Sequence, residues 1–166
     1  MGEAEPGGGR PPVGERQQHR WWAVELNNSL FDQLDDYTPD TSLADPERTL
    51  YQAYAACFHW LHAGTVANHG RGEYGIAWAA LAAGRVEVAV HHAARYAELI
   101  GAHPDAFADW DRAFCAEILA RVAAATGAPD AAQRKTAARA LAEAVAEDGQ
   151  RPAVLERFGR EPWFGV

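Results

Sequence analysis

From Trp21 onward the apolar positions recur at helical spacing. Trp22, Leu26, Leu30 and Leu34 form one i, i+4 stripe, and Asp35-Asp36-Tyr37-Thr38-Pro39 ends it. Asp45 has the character of an N-cap, Pro46 suits the first helical position, and Gly64 suits the stop. Between them YQAYAACFHW is apolar nearly all round, which predicts that the second helix is the most buried. A third helix is predicted over 68–83, before Gly84, and a fourth over 86–100, before Gly101. A fifth, starting near Pro104, carries Phe107, Trp110, Phe114, Ile118 and Val122, and a sixth spans 129–147. The remainder, RPAVLERFGREPWFGV, predicts a short helix and an aromatic tail folded back onto the rest. No run of β-branched or aromatic residues alternates with polar ones, so the expected class is all-α.

The layout has three parts. Residues 1–18 are Gly, Pro, Glu and Arg with almost nothing apolar to bury, which predicts a disordered tail. The helical domain occupies 19–149, and 150–166 form a C-terminal extension packing on it. With 166 residues and 48% hydrophobic content, the chain suits one domain or one short helical array. Its net charge of −8 argues against a nucleic-acid partner, and charged residues or His interrupt every apolar run before it reaches membrane-spanning length. The start, MGEAEPGGGRPP, lacks a secretory pattern, and the two cysteines, Cys57 and Cys115, sit in apolar stretches; both features fit a soluble, cytoplasmic protein.

The helices pair around tight turns. Gly84 in AAGRVEVA and Gly127 in ATGAPDAA are each followed five residues later by Ala89 and Ala132, as a glycine turn between two close-packed helices requires. These hairpins resemble tetratricopeptide repeats, although their turn glycines are 43 residues apart and Tyr96 stands where a small residue is usual. WWAVELNNSLFD, FHWLHAGTVANHGR and EPWFG are similar to a group of small bacterial tetratricopeptide-like proteins. The resemblance implies three antiparallel hairpins stacked in a right-handed superhelix, and no assigned activity.

Candidate chemistry rests on histidines and carboxylates. His59 and His62 lie at i, i+3 on the second helix, a spacing that suits a metal or two separate polar contacts. His91 falls on a charged stripe with Glu87, Arg95 and Glu98, whereas His92 shares a face with Val88, Tyr96 and Leu99 and points inward. Glu25 and Glu117 fall among apolar residues and call for partners, with Arg71, Arg121 and His92 the candidates. No phosphate-cradling glycine motif and no nucleophile elbow is present, and Trp22, Trp60, Trp78 and Trp110 read first as core.

Two functions and one structural role compete. The first is a binding module without catalysis or cofactor, holding a peptide, a protein or a small acidic molecule in a concave groove. Its residues would be Trp21, Glu25, Asn28, Arg71, Tyr74, Trp78, Trp110, Glu117 and Arg121. The second is an Fe, Mn or Zn enzyme in which Glu25, His59, His62, His92 and Glu117 converge. The third is a structural homodimer built on exposed Trp or Ala-rich faces.

Overall fold

The computed structural model describes residues 14–38, 43–146 and 150–166. The first 13 residues of the expected 1–18 tail lie outside them, as do 147–149 at the end of the expected sixth helix. The described residues form seven α-helices and one 3-10 turn, with no strand: α1 (Glu15–Asp35), α2 (Pro46–Ala63), α3 (Val66–Ala82), α4 (Val86–Ala102), the turn Pro104–Ala106, α5 (Asp109–Ala125), α6 (Ala131–Ala144) and α7 (Arg151–Phe158). The protein is all-α. None of these helices is long and apolar enough to cross a membrane.

The boundaries follow from local chemistry. Asp45 caps α2 by accepting from Arg48 N at 3.0 Å, with Pro46 at the first position. Thr65 and Asn68 cap α3 reciprocally. Gly84 and Gly127 have φ of 69° and 68°, and each turn is closed by a hydrogen bond reaching five residues back, Arg85 N to Ala80 O and Ala128 N to Ala123 O. At 15–18 the chain is already helical, so α1 begins six residues before Trp21. Helix α5 starts later than Pro104 suggests: Phe107 is extended, and Asp111 holds the start of the helix by accepting from Ala108 N at 3.0 Å.

Each helix packs on the next in sequence, and α3 also touches α1 and α5. This central position makes α3, rather than α2, the most buried helix. Its Gly70, Gly72 and Gly75 and its run of alanines let neighbours approach closely; a Cβ on Gly70 would sit 2.7 Å from the Phe107 ring. Helix α2 packs mainly against α1 and α3, so its outer face, with Tyr51, Phe58 and Leu61, stays exposed despite being apolar. The α1 stripe holds at Leu30 and Leu34, but Trp22 is exposed and Ala23 is buried in its place.

Ala89 is fully buried after its glycine turn. Ala132 is exposed, because α6 starts four residues after Gly127 whereas α4 starts two after Gly84, and the residue turned inward is Ala131 instead. Ala89→Leu and Ala131→Leu are therefore expected to lower stability by about 1–3 kcal/mol through overpacking. Ala132→Leu is expected to stay within about 0.5 kcal/mol. Urea unfolding of the three variants checks both values.

Candidate functional site

The interior of the α3–α5–α7 region is organised by one buried ion pair. On α5, Glu117 and Arg121 are i, i+4 neighbours and both are shielded from solvent. Arg121 Nε donates to Glu117, Nη1 donates to Pro162 O at 2.8 Å and Nη2 to Arg157 O at 3.0 Å. The guanidinium lies between the rings of Trp78 and Trp163, 4.3 and 4.0 Å from their centroids. The other Glu117 oxygen accepts from Tyr74 Oη at 3.1 Å, and Tyr74 Oη accepts from Trp78 Nε1 at 2.9 Å. Burial, with the Glu117 charge adding to it, pushes the Tyr74 phenol well above its ordinary pKa, so it remains a donor.

This network fixes one wall of a cleft of about 220 Å³. Phe31 and Asn27 reach it from α1, and Arg71 and Tyr74 from α3. Tyr96, Trp110, Phe114 and Arg157 complete it from α4, α5 and α7. Arg71 makes a two-pronged bond to the buried Asp111, Nε to Oδ1 at 2.9 Å and Nη2 to Oδ2 at 3.0 Å, and stacks 4.2 Å over Trp110. Burial would lower the Arg71 pKa, but Asp111 outweighs it and raises it. Tyr96 Oη also donates to Asp111, and burial with the nearby carboxylate raises its pKa. Arg157 Nη1 lies 2.6 Å from Asp35 Oδ1 in an ion pair without hydrogen-bonding angles. Arg71 spends two of its five N–H groups on Asp111, which leaves donors for a ligand.

A larger hollow of about 570 Å³ lies between α1 and the start of α2. Its Gln33, Thr49 and Gln52 hydrogen-bond to one another and to helix carbonyls, so these three side chains are already engaged.

The histidines fall into two groups. His19, His59 and His62 meet where α1 crosses α2, with His19 Nδ1 2.8 Å from His59 Nδ1 and the His19 and His62 rings stacked at 4.3 Å. Partial burial, then the neighbouring imidazoles, lowers the pKa of His59. His92, as expected, points inward to a carboxylate, and that carboxylate is Glu73: His92 Nδ1 lies 2.5 Å from Glu73 Oε2, and His92 Nε2 2.9 Å from Tyr54 Oη. His69 Nε2 approaches the other oxygen at 2.9 Å. Burial would raise the Glu73 pKa, but the two imidazoles outweigh it and lower it. His91 is exposed.

Glu25, His59, His62, His92 and Glu117 do not form one cluster. Glu25 is exposed on α1, His59 and His62 stack with His19, His92 serves Glu73, and Glu117 serves Arg121. Of the expected groove residues, Arg71, Tyr74 and Trp110 line the cleft. Trp78, Glu117 and Arg121 support it from behind. Asn28 is exposed, and Trp21 packs edge-on against Trp22, outside the cleft. Trp110 is thus half-buried cleft wall rather than core.

The chain matches no protein-family model, no curated protein and no solved structure.

Glu73, Asp111 and Arg157 escaped the sequence reading. Each sits in a polar-looking stretch, HGRGE, DWDR and LERF, and packing alone brings them inside: α3 is enclosed all round, Arg71 and Tyr96 bind Asp111, and α7 folds back. The spacing of His69 and Glu73, i, i+4, was the one available signal.

Arg121→Ala removes the partner of a carboxylate that has no access to water. It is expected to cost about 3–5 kcal/mol, read as a lowered urea midpoint.

Proposed function

We propose that the chain is a tetratricopeptide-like, non-catalytic binding module whose cleft takes a planar aromatic acid, either free or as the C-terminal residue of a peptide. The observation that carries this reading is the pairing of aromatic walls with uncommitted guanidinium donors in one opening. Six of the eight lining residues come from α1, α3 and α5, the first helices of the three proposed hairpins, which is the concave side such an array presents, and Tyr96 of α4 and Arg157 of α7 complete the walls. The volume lies below the roughly 300 Å³ at which drug-sized pockets begin, so one ring and its acid group suit it better than an extended ligand. The guanidiniums already stacked on Trp110 and Phe31 disfavour a cation there and favour an anion beside them.

Indole-3-acetate, indole-3-acetamide and a peptide ending in Trp distinguish the forms by calorimetry. The acid or the peptide is expected to bind at least tenfold more tightly than the amide. Asn27→Trp, which fills the cleft mouth, is expected to abolish binding while leaving the unfolding midpoint in place. Equal affinities for acid and amide, or no binding by acid or peptide at millimolar concentration, would overturn the reading.

A second reading, the homodimer, is favoured by one feature of α2. Tyr51, Tyr54, Phe58 and Leu61 are 67%, 40%, 53% and 58% exposed and follow the 3-4-3 spacing of a two-helix seam. Such a stripe is complementary to itself across a two-fold axis, so the partner is a second copy of the chain. Sedimentation equilibrium is expected to give a dimer for the wild type and a monomer for Phe58→Glu; a wild-type monomer at high concentration contradicts this reading.

A further inference from the structure

We propose that Cys57, His69 and Glu73 form a binding site for a zinc-class divalent ion, with His92 and Tyr54 orienting the carboxylate from behind. The three donors come from adjacent helices, Cys57 from α2 and His69 and Glu73 from successive turns of α3. One donor atom from each lies within 4.8 Å of both others. A tetrahedral zinc holds neighbouring S, N and O donors about 3.3–3.8 Å apart, so His69 Nε2 and Glu73 Oε1, now 2.9 Å apart, open slightly while the thiol closes on them by up to about an ångström. Side-chain rotation supplies a shift of that size.

The donor set selects the metal. A thiolate, an imidazole and one carboxylate suit zinc, whereas Mg²⁺ and Ca²⁺ require oxygen throughout. Three protein donors leave the fourth tetrahedral position to water or a ligand.

The surroundings are built for these positions. Gly72 lets the thiol lie against the α3 backbone, since a Cβ there would be 2.8 Å from Cys57 Sγ. His92 Nδ1 holds the Glu73 oxygen that faces away from His69, and Tyr54 Oη in turn holds His92 Nε2. Carboxylates that ligate metals are fixed by such outer hydrogen bonds. The Cys57 and Glu73 side chains are buried, while His69 is 21% exposed and supplies the route by which an ion enters. Interhelical bonding accounts for Glu73 between two imidazoles and core packing for the burial of Cys57, but neither calls for the thiol to converge on the same imidazole and carboxylate.

The test uses the untagged full chain, stripped with a chelator. Zinc titrated by calorimetry is expected to bind at one equivalent, and Co²⁺ to produce a near-ultraviolet thiolate-to-metal charge-transfer band. Cys57→Ser should remove the band and weaken zinc at least tenfold, and Glu73→Gln should weaken zinc similarly. His92→Gln should weaken zinc about 10–100-fold while keeping the band. Cys115→Ser, which changes the second buried thiol, should alter neither readout. The Cys115→Ser comparison keeps the test decisive if Cys57→Ser fails to fold, because the band must then persist without Cys115. Cobalt bound without a thiolate band overturns the proposal. So does zinc affinity that survives Cys57→Ser but is lost in His59→Gln or His62→Gln, which would place the ion at the imidazole cluster of α1 and α2.

Discussion

The fully buried guanidinium of Arg121 is the constraint on which the C-terminal half depends. A charge with no access to water is tolerated only when its donors are satisfied and a counter-charge is near. Glu117 supplies the charge, and the carbonyls of Arg157 and Pro162 supply acceptors. Those carbonyls belong to the segment after α6, so satisfying Arg121 requires the chain to fold back over α5. Trp163 then closes the far face of the guanidinium opposite Trp78, and Lys135 approaches the same indole. The fold-back carries Arg157 and Arg160 to Asp35 at the end of α1, joining the last helix to the first.

The cleft is a by-product of this closure. Its floor is Tyr74, whose hydroxyl is bound to Glu117, and one rim is Arg157, whose backbone carbonyl is bound to Arg121. The opposite rim is set independently by the Arg71–Asp111 pair, with Asp111 also holding the first turn of α5. Two charge pairs, one within α5 and one joining α3 to α5, therefore position both sides of an aromatic opening. The thiol–imidazole–carboxylate group lies between α2 and α3, the latter being the most enclosed helix, and its geometry draws on the glycines that let α2 approach.

Helix number, helix type and most stops were legible because they rest on local rules: Asp45-Pro46 starts a helix, and Gly84 and Gly127 end two others with positive φ. His92 pointing inward and Arg121 serving Glu117 were legible for the same reason, since helical spacing fixes their faces. Relative burial was not. The apolar α2 lies outside and the glycine-rich α3 inside because burial depends on how many helices surround an element, and that is a property of the packing. The same blindness hid Glu73, and it put Glu25 in the interior when α1 turns that side to solvent. Ala132 was misplaced because the turn after Gly127 is two residues longer than the one after Gly84, and the buried position moves to Ala131, about 100° around the helix.

The cleft between Tyr74 and Trp110 is the proposed place of ligand binding. The six tryptophan indole N–H groups report on this directly in a nitrogen-proton correlation spectrum recorded while indole-3-acetate is added. Binding in the cleft predicts saturable movement of the Trp110 signal, a smaller response at Trp78 behind the wall, and still signals from Trp22 and Trp60. Movement centred on Trp21 and Trp22, with Trp110 unchanged, would contradict it.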